Sequence, residues 1–375
     1  MEAKPTLIIP IFLPHRGCSK QCLFCNQKAL AKEVPSPLSV QQFIEKSLLN
    51  FSSGRKAKER QVAFYGGSFT AMKREDQLLY LKEVQPFLLS GEIDSVRIST
   101  RPDAFDREIL SWLKQYGVRT VEIGTQSLVD EVLLYSKRGH SAADTFFAVS
   151  ELRSFGFEVG LHLMIGLPGD DRSRFCKSLD RAIELRPDFV RIHPTLVLKG
   201  APLEDRWRTG EYTPLSLRET IDWLKYGILQ LEKAKIPVAR VGLQPSRELE
   251  KHLLAGPYHP ALHQLVESAI FYDMAKILIQ DFPKGKEAIF FCNPKEVSNL
   301  RGQRNENLMR LMQDFKLSQI LIEEKDDLPR GFLGLKIQGK EVLIHRKSIP
   351  YPSYFIYRDL RKVNGDELFP LRTTP

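Results

Sequence analysis

Short apolar runs recur along the first two thirds of this chain, and each is followed by a stretch whose apolar residues have helical spacing. The runs cover 7–13, 62–65, 96–99, 120–124, 159–165, 189–195 and 238–243; the helical stretches between them cover 40–51, 76–89, 106–116, 142–155, 172–185 and 215–234. Strands alternating with helices of roughly 10–15 residues read as repeated βα units around a parallel sheet. The strand runs read as continuously apolar, as expected where helices cover a sheet. Six or seven units predict an α/β fold, a partial (β/α)6 barrel. In parallel sheets and barrels, function collects at the C-terminal strand ends. The unusual residues of this chain lie there.

After Gln244 the pattern changes. Stretches 247–254 and 263–279 read as helical, 288–291 as a strand, 295–315 as a helix and 318–323 as a strand. Stretches 333–337 and 341–345 flank Gly339 and read as a hairpin. This predicts a core over 1–245 and a small α/β C-terminal extension over 246–375, the latter without a chemical motif of its own. A chain of 375 residues is long enough to bury both.

Lys and Arg total 55 against 46 Asp and Glu, a net charge of +9, which suits a polyanionic partner such as RNA. Five cysteines, three of them clustered, point to metal in a reducing cytosol rather than to disulfides, so a cytoplasmic location is expected. The apolar stretch 6–14 is short, carries Pro10 and lacks a small-residue cleavage site, so it does not read as a signal peptide. No segment reaches the ~18 apolar residues of a membrane span.

The clustered cysteines are Cys18, Cys22 and Cys25, a C-x3-C-x2-C array just past the first strand. Thiolates are soft ligands for zinc or iron–sulfur. Three of them hold three irons of a 4Fe–4S cube and leave the fourth open to a small chelating ligand. A structural zinc would need a fourth ligand, for which His15 is available, so the spacing leaves both open. Phe24 would pack beside the cluster or its ligand. Cys176 and Cys292 read as buried small hydrophobes. His259 and His263 stand at a zinc-protease interval, but Pro260 replaces the Glu and Gly256-Pro257 marks a helix start, so the pair reads as structural.

Further motifs end the later strands. They are Phe64-Tyr65-Gly66-Gly67-Ser68-Phe69-Thr70, Ile98-Ser99-Thr100-Arg101-Pro102-Asp103 and Val121-Glu122-Ile123-Gly124-Thr125-Gln126-Ser127. Lys137-Arg138-Gly139-His140 and Gly160-Leu161-His162-Leu163-Met164-Ile165-Gly166-Leu167-Pro168-Gly169 follow. Gly66 and Gly67 lack Cβ atoms, which lets backbone approach a ligand. Gln126 can both donate and accept. With the cysteines, this series over about 7–245 resembles the radical S-adenosylmethionine (radical SAM) superfamily. It is similar to the radical domain of the Elongator catalytic subunit and to coproporphyrinogen dehydrogenase.

The resemblance implies a barrel of the radical SAM type and two cofactors, a 4Fe–4S cluster on Cys18, Cys22 and Cys25 and S-adenosyl-L-methionine. It places the cofactor's amino group at the Gly66, Gly67, Ser68 turn. Ser99 stands at a ribose contact that is often a carboxylate. Gln126 and Arg138 match positions that bind the methionine or ribose part. His162 falls near the adenosine end, and the backbone of 194–197, after His193, faces adenine. Phe12 replaces a Tyr of coproporphyrinogen dehydrogenase, and no acetyl-coenzyme A loop follows residue 246. The implied activity is reductive cleavage to a 5′-deoxyadenosyl radical, fed by an electron donor such as flavodoxin or ferredoxin. Transfer RNA or another RNA is one substrate reading. A small porphyrin-like or lipid precursor is a second, and a metal-stapled RNA-binding module without activity is a third. For the RNA reading, Arg301, Arg304, Arg310, Arg346, Lys347, Arg358, Arg361 and Lys362 supply charge. Tyr351, Tyr354, Phe355 and Tyr357 supply rings that stack on unpaired bases.

Overall fold

A computed structural model describes residues 6–18, 21–27, 34–51, 59–280, 287–337 and 340–350. The strands of the first part are β1 (Leu7–Phe12), β2 (Arg60–Tyr65), β3 (Ser95–Thr100), β4 (Val118–Gln126), β5 (Glu158–Ile165), β6 (Phe189–Pro194), the short β7 (Val197–Leu198) and β8 (Val238–Val241). Between them lie α1 (Pro37–Phe51), α2 (Arg74–Lys82), α3 (Gln85–Leu89), α4 (Arg107–Gln115), α5 (Asp130–Tyr135), α6 (Ala142–Ser154), α7 (Arg172–Glu184), α8 (Leu203–Arg208) and α9 (Leu217–Lys233). Among the described residues, seven strands form one sheet in the order β1-β2-β3-β4-β5-β6-β8, each neighbouring pair parallel. Spatial order follows chain order, so right-handed crossovers carry the connecting helices to one face. The sheet curls into a half-barrel with helices outside.

This winding corrects the expectation of uniformly apolar strands. Val62, Phe64, Val96, Ile98, Val121, Ile123, Leu161 and Ile192 are buried in the core. The alternate positions carry Gln61, Arg97, Glu122, His162 and Arg191, which hydrogen-bond one another across the concave face. A sheet with helices on one side only follows the two-residue alternation of a half-covered sheet.

The helices begin where side chains can satisfy free N–H groups. Asp106, Asp171 and Ser246 each accept the backbone N–H three residues on. Ser141 with Asp144 and Ser216 with Glu219 form reciprocal capping boxes. The stretch 76–89 is two helices, because Pro86 is tolerated only in a first turn. The one-and-a-half-turn α5 carries too little periodicity to be seen in the sequence.

The remainder comprises α10 (Arg247–His252), β9 (Leu253–Ala255), α11 (Leu262–Ile279), β10 (Glu287–Cys292), α12 (Val297–Arg301), α13 (Glu306–Phe315), β11 (Gln319–Glu324), β12 (Phe332–Ile337) and β13 (Lys340–His345). Strand β9 pairs antiparallel with β7, which ends the first helical stretch early. The stretch 295–315 breaks at Gly302, Arg304 and Asn305, all with positive φ (70°, 51° and 62°). Strands β11-β10-β12-β13 form a mixed sheet containing the expected hairpin. The core runs without interruption from the barrel through Leu231 and Ile270 to Leu335. Arg346 joins Glu232 of α9 to Glu267 of α11. Among the described residues no helix is long and apolar enough to cross a membrane. Tyr351, Tyr354, Phe355, Tyr357, Arg358, Arg361 and Lys362 lie outside the described residues.

Candidate active site

The cysteine loop leaves the end of β1 and is clasped from two sides. On one side is the turn after β2. The Ser68 N–H donates to the Arg16 carbonyl at 2.8 Å, and the Gly67 N–H donates to Gln27 Oε1 at 2.8 Å. The same Gln27 oxygen accepts the His15 N–H at 2.5 Å. The chains approach so closely that a Cβ on Gly67 would overlap the Arg16 backbone, and one on Gly17 the Ser68 carbonyl. Both residues have positive φ, 59° and 73°. Gly67 is therefore required first by the packing of two loops. The space its missing Cβ frees is filled by the cysteine loop, not left for a ligand. Gln27, which ties the two, was not singled out in the sequence.

On the other side is the segment after α5. The Leu23 N–H donates to the Ser136 carbonyl at 3.1 Å. Arg138 is buried (6% exposed) and donates to Cys22 Sγ at 2.9 Å and to the Gly124 carbonyl at 2.5 Å. It is thus directed at the cysteines rather than at solvent. Burial, then the neighbouring Cys22 and Cys18, pushes the Cys25 thiol up to about 12. Burial likewise raises Cys18, against the opposing charges of Arg101 and Arg138. A cationic centre bound here would offset the cost of charging Cys18 and Cys25, which is how metal binding couples to deprotonation.

The donor set suits a cluster better than a single ion. Three thiolates match a cube, which takes one thiolate per iron and leaves one iron open, whereas a structural zinc ion would need a fourth ligand. His15, the fourth zinc ligand considered above, has Nε2 occupied by the Gln27 N–H at 2.9 Å. Cys176 and Cys292 are buried in the hydrophobic core, 2% and 0% exposed. His259 Nδ1 accepts the Ala261 N–H at 3.1 Å ahead of α11, and His263 faces Glu267 at 3.6 Å, both structural contacts.

The other sequence candidates divide. Ser68 is fully buried and its hydroxyl is spent on Thr100 Oγ1 (2.9 Å) and the Arg101 N–H (3.2 Å). Ser99 lies on the concave face of β3, and its hydroxyl bonds no group among the described residues. Gln126 ends β4 just past an irregularity in the β4–β5 register and has a φ of 65°. Left-handed backbone at a non-glycine residue beside a bulge marks a side chain aimed by its surroundings. Its amide likewise bonds nothing among the described residues. Arg346, counted above as a surface cation for RNA, is instead buried (8% exposed) and bound to Glu267 at 2.6 Å.

Below this rim lies a network that sequence reasoning missed. Glu122 of β4 is fully buried and accepts from Arg97 Nη1 at 2.7 Å, Tyr65 OH at 3.0 Å, Arg191 Nη2 at 3.1 Å and His162 Nε2. Burial would raise its carboxyl, but the His162 hydrogen bond and the His162, Arg191 and Arg97 charges hold it well below the carboxylate range. His193 packs edge-on to His162 at 5.9 Å, and burial lowers it to about 3, leaving it neutral. The signal was present: Val-Arg-Ile, Val-Glu-Ile, Leu-His-Leu and Val-Arg-Ile each place one polar residue between two aliphatics, on four consecutive strands. Asp170, after β5, accepts the Gly166 N–H at 3.0 Å and is raised to about 7 by burial.

Residues 12–182 match the family model described as Radical SAM superfamily, and residues 187–271 match the Radical_SAM C-terminal domain. A tRNA uridine(34) acetyltransferase of Methanocaldococcus jannaschii is 36% identical over 193 residues, 46% of this chain and 36% of that one. The chain therefore spans about a third of the length of that curated relative. An uncharacterised protein of the same organism is 30% identical over 241 residues, 60% of this chain and 70% of that one. Among solved structures, Elp3 of Methanocaldococcus infernus, lacking its N-terminal 46 residues, superposes with a TM-score of 0.57 at 22% identity. That match covers 72% of this chain and 63% of the other, and it shows a shared fold. With the cysteine loop, the half-barrel and these matches in hand, the chain belongs to the radical S-adenosylmethionine superfamily, enzymes that bind a 4Fe–4S cluster and S-adenosylmethionine.

Proposed function

We propose that the chain holds its cluster on Cys18, Cys22 and Cys25 and turns the resulting radical on a nucleotide of transfer RNA. The observation that carries the site is the cysteine loop at the C-terminal mouth of a half-barrel, with the buried Arg138 donating to Cys22 Sγ above a polar concave face. The RNA part draws on the tRNA-modifying relatives and on the net charge of +9. When bound, the cluster supplies one electron to the sulfonium of S-adenosylmethionine, which yields methionine and a radical that abstracts hydrogen from substrate.

The chain's own residues bind and aim. Arg138 lies against Cys22 and offsets thiolate charge there. The Gly66, Gly67, Ser68 turn closes the cysteine loop through its N–H groups, and its Gly66 and Gly67 carbonyls are left to accept from the amino end of the cofactor. Ser99 and Gln126 present the uncommitted polar groups at the rim for its ribose and methionine parts. Residues 1–245 read as the radical core and 246–375 as the extension, the described part of which packs on the core through α11. An electron donor such as flavodoxin or ferredoxin delivers the electron, in the cytoplasm.

Anaerobic reconstitution tests this reading. The wild-type chain should bind about four irons and, with dithionite, release 5′-deoxyadenosine. Cys18→Ala, Cys22→Ala and Cys25→Ala should each lose the iron, and Cys176→Ala should keep it. Transfer RNA should bind at low salt, with a log–log salt slope of about −0.7 to −0.9 per phosphate contacted. Stoichiometric zinc without iron overturns the cluster reading. Binding to transfer RNA no tighter than that of an acidic control protein overturns the RNA reading.

A further inference from the structure

Strands β6 and β8 place two arginines side by side. Arg191 and Arg240 are register partners on adjacent parallel strands. Like charges directly opposite one another in a sheet are destabilising. Arg191 is committed: Nε lies 2.8 Å from Glu122 Oε2 and Nη2 2.9 Å from Tyr65 OH. Glu122 cannot serve the neighbour too, because Arg97 and His162 already share it. Arg240 makes no ion pair among the described residues. Its Nε reaches the Gly242 carbonyl at 3.3 Å, and its two terminal nitrogens bond nothing among them. As the register partner of Arg191, Arg240 shares its face of the sheet, and burial, then the Arg191 charge, lowers its guanidinium from the ordinary value, while Tyr65 opposes the shift.

We infer that Arg191 and Arg240 form a clamp for a phosphate of the substrate, with Glu122 and Tyr65 fixing the first guanidinium and the second left to close on the ligand. The terminal nitrogens of Arg240, with Arg191 Nη1, which bonds nothing among the described residues, present donors to the oxygens of a phosphate, and an anion between them removes the repulsion. The clamp rests on the nucleic-acid reading only for the identity of the phosphate. The same chemistry would accept the carboxylate of S-adenosylmethionine, so the test separates the two sources.

The full chain and Arg240→Gln are compared by calorimetry with uridine 5′-monophosphate, uridine, S-adenosylmethionine and transfer RNA at low salt. The wild-type chain should bind the monophosphate at least tenfold more tightly than uridine, and Arg240→Gln should abolish that preference while binding S-adenosylmethionine as before. Removing a repelling charge should raise the melting temperature of the ligand-free variant. A role confined to the Gly242 hydrogen bond predicts a lower one. The transfer RNA salt slope should become shallower by about one phosphate contact. An unchanged monophosphate preference overturns the clamp. So does a parallel loss of S-adenosylmethionine affinity, which would make the cofactor carboxylate the occupant. If transfer RNA fails to bind while the monophosphate preference disappears only in the variant, the clamp stands and the RNA reading falls.

Discussion

Asp170 follows the Gly166-Leu167-Pro168-Gly169 turn and is pushed up to about 7 by burial. The Gly166 N–H opposes that rise by bonding the charged form, and Asp171 adds to it. A carboxyl raised on folding contributes stability that is fully present below its unfolded value near 4 and is lost as pH rises through about 7. The wild-type chain should accordingly lose about 1–3 kcal/mol between pH 5 and pH 8 at this residue. Asp170→Asn keeps an oxygen for the Gly166 N–H and removes the titration, so its urea midpoint should vary less over that range. Identical pH slopes in the two proteins would show that Asp170 stays ionised throughout. The Gly-Leu-Pro-Gly motif was legible in the sequence, but the depth at which its neighbour would be buried was not. Gly67 is similar: the need for glycine was legible, but its cause, the Arg16 backbone, lies fifty residues away and appears only on folding.

At the level of the sheet, one face packs on helices and the other carries ionised groups. Glu122 balances two guanidiniums and a histidine in the middle of that polar face. Glu122→Gln keeps the shape and removes the charge, leaving Arg97 and Arg191 buried without a counter-ion. Breaking one partner of a buried ion pair costs about 3–5 kcal/mol. Chemical denaturation at pH 7 should report a loss in that range, and Arg97→Met in the Glu122→Gln background should restore part of it. A change below about 1 kcal/mol would mean that water reaches the network and screens it. The strands themselves were read correctly from their apolar runs. Their two faces were not, although the polar residue between two aliphatics on four consecutive strands marked the concave side. The choice came from the winding: in-order parallel strands send every crossover the same way.

For the molecule as a whole, the extension is bound to the barrel by a shared core and by Arg346. This residue reaches Glu267 through both Nη atoms, at 2.6 and 2.9 Å, and approaches Glu232 at 3.1 Å. Burial would raise Glu267, yet the His263 and Arg346 hydrogen bonds hold it down at about 2. Arg346→Ala should therefore cost about 3 kcal/mol, with two carboxylates left facing each other. Since the core is continuous, the loss should appear as one cooperative transition at a lower denaturant midpoint. Two separated transitions would show that barrel and extension fold independently.

The sequence by itself determined the βα alternation, the strand positions, the cysteine loop and the family, because periodicity, turn chemistry and ligand spacing are properties of neighbouring residues. Only the tertiary structure decided that Arg138 turns inward to Cys22, that Gln27 clasps the loop, and that Arg346 is buried while Arg240 remains uncommitted. A charged side chain acquires its role from partners distant along the chain, and four strands contribute to the Glu122 network. The register that brings those partners together arises from the packing of the whole sheet, which no local stretch of sequence contains.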